Sequence, residues 1–205
     1  MTWHRIQLAR CLAWFFFIAS SSVPSAHALE PGQSNPPALN EKELFPYKPK
    51  GRGTATGQVF LSSPSGKALT QAGVPVYLIP TVPYTRHWFD RNVRANACSS
   101  KGEASSMEPP DPPVPFADCL RTVLTQLLTE KRLAPYLRTT RANPTGHFWF
   151  TKVPAGRYYI VSLLEGSSGA HQDERAIGIA WSTMDLDVGE KAANLVVTDC
   201  RNGFC

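Results

Sequence analysis

Short runs of alternating apolar and polar residues recur along most of this chain, and turn residues separate them. Outside one insertion, no helical pattern lies between successive runs, which favours an antiparallel arrangement over a parallel sheet with crossover helices. The sequence therefore predicts a mainly β protein, a seven-stranded antiparallel β-sandwich with one inserted α-helix. The seven predicted strands are TATGQVFLSS (54–63), GVPVYLIP (73–80), YLRTTRA (136–142), HFWFTKV (147–153), RYYIVSLLEG (157–166), RAIGIAWSTMDLDVGE (175–190) and ANLVVTD (193–199).

The alternation also assigns the faces of individual strands, because successive side chains of a strand point to opposite sides. Val76 and Leu78 fall on one face of their strand, and Phe148 and Phe150 share a face of theirs. Trp149 is out of phase with these two phenylalanines. This favours a position for Trp149 under the inserted helix.

The insertion spans residues 90–135. Its first part, up to residue 115, is polar and rich in proline, so a loop is expected there. Apolar residues then recur at helical spacing, followed by cations in the last turn and a proline beyond it. We expect this helix to cover one edge or face of the sandwich. Its apolar positions are Phe116, Leu120, Val123, Leu124, Leu127 and Leu128.

The first 28 residues have the features of a secretory signal peptide. Arg5 and Arg10 precede an uncharged, mostly apolar stretch at 11–23, and residues 26–28 provide an A-x-A cleavage site. The apolar part is too short to span a bilayer, and no other run is long enough for a membrane helix. We therefore predict a periplasmic or secreted protein with no membrane span after cleavage.

The stretch after the signal peptide is punctuated by prolines and has no apolar periodicity, so extended, solvated backbone is expected there. The remaining length suits one compact domain. The predicted organisation is a signal peptide at 1–28, a proline-rich linker at 29–53, the β-sandwich at 54–199 with the insertion at 90–135, and a cysteine-containing tail at 200–205.

Charge gives no support to nucleic-acid binding. The chain has 21 lysines and arginines against 16 acidic residues, a net charge of +5. Removing residues 1–28 takes away two arginines and no acids, which leaves 19 against 16, or +3. The remaining cations are spread out rather than clustered in a stripe.

Four cysteines remain after the signal peptide, namely Cys98, Cys119, Cys200 and Cys205. An even count in an oxidising compartment favours disulfides, and four cysteines allow three pairings. Local pairing, Cys98–Cys119 with Cys200–Cys205, is favoured because each bond would tie down a segment with little core of its own. The rival interpretation, a metal site, lacks the CxxC or Cys/His spacing typical of zinc. No metal or other cofactor is therefore predicted.

Three pieces of the sequence together resemble carboxypeptidase regulatory-like domains, also called transthyretin-like or prealbumin-like. Two are GQVFL (57–61) and AGVPVYLIP (72–80), and the string VYLIPTVPYTRHWF (76–89) further resembles a bacterial exported subgroup. The resemblance covers about residues 54–199. It implies a Greek-key β-sandwich grouped with carbohydrate-binding-like folds, and little about function, since this fold serves many roles. The third piece is a hairpin that matches at Thr140, Gly146, Phe148, Phe150, Val153, Pro154, Ala155, Gly156 and Tyr158.

Catalysis finds little support. Transthyretin-like hydrolases use a C-terminal Tyr-Arg-Gly-Ser motif, whereas this chain ends in DCRNGFC (199–205). Intradiol dioxygenases bind iron with two tyrosines and two histidines, but His87, His147 and His171 are isolated in sequence. No G-x-S-x-G nucleophile motif occurs either. We therefore predict a non-catalytic protein. The alternative is a small hydrolase or metal-dependent enzyme on a transthyretin-like sandwich.

One aromatic segment, expected at a strand end or turn, is the candidate for ligand binding. Aromatic faces beside polar groups suit sugar rings, and Trp149 and Trp181 offer further faces. Packing of the segment against the insertion is nevertheless favoured over an exposed ligand surface. We expect a binding or structural module of the cell envelope, with an envelope glycan or an envelope protein as its partner. The candidate residues are Tyr84, Arg86, His87, Trp88 and Phe89.

Overall fold

The protein is a mainly β sandwich in the computed structural model, which describes residues 36–62, 66–95, 97–98, 116–167 and 175–199. The strands are β1 (Gly53–Val59), β2 (Leu61–Ser62), β3 (Ala68–Leu69), β4 (Pro75–Pro80), β5 (Arg138–Arg141), β6 (His147–Val153), β7 (Gly156–Ser167), β8 (Arg175–Leu186) and β9 (Lys191–Val197). The helices are α1 (Glu41–Leu44), α2 (Pro83–Phe89) and α3 (Phe116–Leu128), with 3₁₀ turns at Phe45–Tyr47 and Ala134–Tyr136 and a π-helical turn at Asp90–Arg94.

The strands form two larger sheets and a short ribbon. One sheet has the order β5-β4-β7-β8 with antiparallel neighbours, the other has the order β6-β1-β9, and β2 pairs with β3. The described residues form nine strands instead of the predicted seven, because the first predicted strand breaks at Phe60 and β3 is additional. β1 is antiparallel to β6 but parallel to β9, which corrects the all-antiparallel expectation. The chain reaches β9 from β8, which belongs to the other sheet, and not through a hairpin from β1. The antiparallel direction that a hairpin would impose therefore does not apply to β9.

The core between the two sheets contains the side chains that the alternation assigned to one face. Val76 and Leu78 of β4 are buried there together with Phe148 and Phe150 of β6. Ile160 of β7 joins them from the same sheet as β4. The predicted faces of these strands are therefore confirmed.

The helices form a third layer on the outer face of the four-stranded sheet. Leu120, Leu124 and Leu127 of α3 are buried in one cluster with Ile79 of β4 and Val161 of β7. This confirms the predicted inserted helix and its apolar face. None of the described members of this cluster lies on β1, β6 or β9. The helical layer therefore covers one sheet of the sandwich and leaves the other.

The segment before β1 is packed, which corrects the expectation of extended, solvated backbone for its described part, residues 36–52. Leu39 and Leu44 are buried in the helical layer. The side chain of Asn40 caps α1 by accepting a hydrogen bond from Lys42 N at 3.1 Å. Tyr47 lies edge-on against a ring of the sandwich. Leu39 and Leu44 are buried only because the four-stranded sheet offers them an apolar face. The local sequence does not reveal this partner.

A disulfide joins Cys98 to Cys119, as the local pairing predicted, with an S–S distance of 2.06 Å. It connects the chain after α2 to the first turns of α3, so both ends of the proline-rich stretch are fixed to the helical layer. Cys200 and Cys205 lie outside the described residues, and so does the predicted signal peptide. Across the described part of the chain, none of the helices has the length and apolar character needed to cross a bilayer.

Candidate functional site

The predicted ligand segment forms helix α2 rather than a strand end or turn. Pro83 occupies its first turn, where a missing backbone N–H is tolerated. The buried hydroxyl of Thr85 accepts a hydrogen bond from Val82 N at 3.0 Å and donates one to Pro80 O at 2.7 Å. These contacts turn the chain into a helix directly after β4.

Phe89 lies in the middle of the helical layer. Its ring stacks on Tyr159 with the centroids 3.9 Å apart, and it lies 6.1 Å from the ring of Trp181. Trp88 packs edge-on against it at 5.1 Å. None of the Phe89 side chain is exposed. It therefore offers no surface to a ligand, and packing accounts for its side chain.

The other members of the segment differ in exposure. Tyr84, His87 and Trp88 are half-buried, whereas Arg86 is exposed. Burial raises the pKa of the Tyr84 hydroxyl above its ordinary value. His87 Nε2 is buried and has no hydrogen-bond partner among the described residues. Arg86 is thus the member of this segment most available to a ligand.

Arg86 borders a cleft of about 570 Å³ at the end of the four-stranded sheet. Arg157 also lines the cleft and pairs with Asp185, with Nε–Oδ1 at 2.6 Å, and this hydrogen bond raises the pKa of the guanidinium of Arg157. Asp187 also lines the cleft. The cleft therefore carries charges of both signs, and a ligand there would have to match that pattern.

A second surface lies on the outer face of the three-stranded sheet, which the helical layer leaves open. The Trp149 side chain on β6 is 57% exposed, and Val196 on β9 is 54% exposed. The expected position of Trp149 under the inserted helix is therefore wrong. Its phase relative to Phe148 and Phe150 was read correctly, but the helix covers the other sheet.

A groove of about 390 Å³ runs along this face, and none of its lining residues is Asp, Glu, Lys or Arg. We call this surface the Trp149 groove. Antiparallel pairing places Thr56 opposite Trp149 and Gln58 opposite His147, so four outward side chains form a patch two strands wide. The groove is lined by Thr56, Gly57, Gln58, His147, Phe148, Trp149, Asn194, Leu195 and Val196.

The β9 side of the groove is shaped by a glycine. A Cβ at Gly57 would lie 2.3 Å from Leu195 O, so only glycine lets β9 approach at this point. The β1–β9 register shifts between Ala55 and Gly57. Asn194, which precedes Leu195, adopts a left-handed conformation with φ 58°, which asparagine tolerates better than most residues. Asn194 and Leu195 both line the groove.

The other end of the groove is held by the turn that enters β6. Asn143 Oδ1 accepts hydrogen bonds from Thr145 N at 3.0 Å and from His147 N at 2.8 Å. Gln58 Nε2 donates to Thr145 O at 2.7 Å, which ties the turn to β1. These bonds fix both His147 and Gln58 beside the open face.

Sequence reasoning named Trp149 as an aromatic face but missed the residues around it. The alternating pattern does contain a signal for this patch, because Gln58, His147 and Trp149 are out of phase with the core positions of their strands. The sequence contains no such signal for Asn194, because the position of this residue depends on the local register shift between β1 and β9. The described residues contain no group of three or more His, Cys, Asp or Glu that could hold a metal ion.

Comparison with known proteins gives a likeness of fold. No family model matches this chain, and no curated protein matches it. A solved structure of a candidate carbohydrate-binding protein from Pseudomonas aeruginosa is similar over 80% of this chain and 99% of its own, at 21% identity and a TM-score of 0.55. Two structures of the pilus backbone protein of Streptococcus pneumoniae cover 71% and 70% of this chain but 41% and 29% of their own. With 11% identity and TM-scores of 0.24, these two carry no argument.

Proposed function

We propose that this protein is an exported, non-catalytic module of the cell envelope that binds glycans in the Trp149 groove. The observation that carries the proposal is the indole of Trp149, 57% exposed on a sheet face that the helical layer leaves open. An exposed aromatic and aliphatic patch rimmed by polar groups is typical of a binding surface. The disulfide between Cys98 and Cys119 supports an oxidising compartment.

The chemistry of the groove suits a sugar ring. A pyranose has faces of C–H groups, which pack on an indole, and a rim of hydroxyl groups, which need hydrogen-bond partners. Trp149 and Val196 offer the apolar surface. Thr56, Gln58 and His147 offer hydroxyl, amide and imidazole groups around it. Few polar groups placed around an apolar floor are what orient a small ligand.

The likeness to the Pseudomonas aeruginosa protein supports this proposal, because that protein is itself a candidate carbohydrate-binding protein with a fold similar over most of this chain. The carboxypeptidase regulatory-like character of the sandwich is part of the same proposal. It rests on the hairpin and strand residues given above and agrees with the two-sheet architecture.

Replacing Trp149 with alanine is expected to weaken glycan binding at least about 30-fold, as for an aromatic residue at the centre of a binding surface. The full chain would be screened on an array of envelope glycans, and the best binder titrated by calorimetry. The matched control is Phe45→Ala, which removes another aromatic ring, 54% exposed and outside the groove. Binding that survives Trp149→Ala unchanged would place the glycan elsewhere.

The α2 segment supports a second candidate site through Arg86. Its guanidinium is exposed at a cleft of about 570 Å³ and makes no ion pair within the described part of the chain. Tyr84, His87 and Trp88 lie on the same short helix. In the titration above, weaker binding in Arg86→Ala with no change in Trp149→Ala would assign the ligand to this cleft.

The non-catalytic part of the proposal is tested separately. A panel of ester, amide and glycoside substrates is expected to give no turnover above buffer. Turnover that disappears in His87→Ala would favour the alternative, a small hydrolase on the same sandwich.

A further inference from the structure

The imidazole of His147 is oriented by the turn before β6. Its Nδ1 lies 2.9 Å from Thr145 Oγ1. The same hydroxyl lies 2.8 Å from Asn143 Oδ1. The direction of each hydrogen bond in this chain of three groups can be assigned, because each atom has a limited set of roles.

Asn143 fixes the first direction. Its Oδ1 accepts from two backbone N–H groups, so the amide oxygen and not the nitrogen occupies this position. An amide oxygen cannot donate, and the hydroxyl of Thr145 must therefore donate its single hydrogen to Asn143. That hydroxyl then has only lone pairs for the ring. His147 is consequently the donor, and the neutral ring carries its proton on Nδ1.

With the proton on Nδ1, the Nε2 atom of the neutral ring has a lone pair and acts as an acceptor. His147 is exposed and lines the Trp149 groove. It stands two residues from Trp149 on the same side of β6, so the two side chains are about 7 Å apart along the strand. A ligand stacked on the indole thus comes within reach of this acceptor.

We propose that His147 is a specificity-determining residue of the groove, which accepts a hydrogen bond from a sugar hydroxyl at Nε2 and favours neutral over acidic sugars. The inference rests on the proposed glycan-binding function. A hydroxyl group can donate to Nε2, whereas a uronate carboxylate has only acceptor oxygens and would meet a lone pair. No Lys or Arg lines the groove to balance such a charge.

Gln58 strengthens the preference for a neutral ligand. Its Nε2 donates to Thr145 O, so the orientation of the amide is fixed. Its Oε1 then provides a second acceptor, on the residue paired with His147 across β1 and β6. Two neighbouring acceptors match adjacent hydroxyl groups of a sugar and repel a carboxylate.

The tautomer is tested first, by two-dimensional ¹H–¹⁵N spectra of the imidazole nitrogens in the labelled full chain. The His147 signals are assigned by their loss in His147→Gln. At a pH where the ring is neutral, we expect a protonated Nδ1 and an unprotonated Nε2. In Thr145→Val, which lacks the acceptor hydroxyl, the fraction protonated at Nε2 is expected to rise. A ring protonated at Nε2 in the wild type would overturn the proposal.

The second measurement compares binding of neutral hexasaccharides (cellohexaose, maltohexaose and hexa-N-acetylchitohexaose) with that of oligogalacturonate. We expect a neutral probe to bind, and oligogalacturonate to bind at least about tenfold more weakly. His147→Asn keeps a donor for Thr145 but has no atom at the Nε2 position, and it is expected to weaken binding about tenfold. His147→Gln places an amide oxygen near that position and is expected to stay within about threefold of wild type.

The outcomes separate this inference from the proposed function. If Trp149→Ala weakens binding while His147→Asn does not, glycan binding stands and the role of His147 is wrong. If oligogalacturonate binds more tightly than the neutral probes and its binding depends on Trp149, glycan binding again stands and the role of His147 is wrong. If no glycan, on the array or among these probes, binds in a manner that depends on Trp149, the proposed function fails, and this inference fails with it.

Discussion

Truncating Phe89 to alanine is expected to lower the free energy of unfolding by about 3–5 kcal/mol, the range observed for large aromatic residues in protein cores. Its ring is fully buried and stacks on Tyr159 of β7 at 3.9 Å. Removal of the ring leaves a cavity where α2 meets the sheet, and it also removes the edge-on contact with Trp88. Urea denaturation of the full chain, with the disulfide intact, measures the effect.

Phe45→Ala provides the matched control, since this ring is 54% exposed and its loss is expected to change stability by less than about 0.5 kcal/mol. Folded Phe89→Ala protein should bind glycans as wild type does, because the Trp149 groove lies on the other sheet. A stability loss below about 1 kcal/mol would contradict the packing role of Phe89, and a selective loss of binding would indicate a ligand role.

The faces of the strands could be predicted because they depend on local alternation. Val76 and Leu78 enter the core between the sheets, while Tyr77 and Ile79 face the helical layer. Helix α3 could be predicted equally well, because its leucines recur regularly at helical spacing over a long stretch. Helix α2 was not, because seven residues give little periodicity and its formation depends on the hydrogen bonds of Thr85 with the end of β4.

The candidate site depended on a question that alternation cannot answer. Each sheet of a sandwich has an outer face, and the phase of Trp149 shows only that it points away from the core. Which outer face the helices cover is decided by contacts distant in sequence, such as those of Leu39 and Leu124 with the four-stranded sheet. The expectation that Trp149 lies beneath the helix failed for this reason. Because the helices cover the other sheet, the indole of Trp149 is exposed and available for binding.

Gly146→Ala is expected to lower the free energy of unfolding by about 2–5 kcal/mol, through two separable costs. The first is conformational: Gly146 has φ +81°, and a residue with a Cβ pays about 1–2 kcal/mol there. The second is steric, since the new Cβ would lie 2.4 Å from Val59 O, and overpacking of this kind costs about 1–3 kcal/mol. This steric contact could be relieved only if the turn moved away from β1. Such a movement would stretch the hydrogen bond that Val59 N donates to Gly146 O at 2.9 Å.

Gly189→Ala isolates the first cost. Gly189 has a similar φ of +78°, but a Cβ there would meet nothing within 4 Å. Its alanine variant is expected to lose about 1–2 kcal/mol, so the difference between the variants measures the contact with β1. Because the turn at Gly146 also holds Thr145 and His147, folded Gly146→Ala protein should lose the Nδ1-protonated form of His147, whereas Gly189→Ala should keep it. Equal losses in the two variants, with the His147 signals unchanged in both, would mean that the turn does not depend on its close approach to β1.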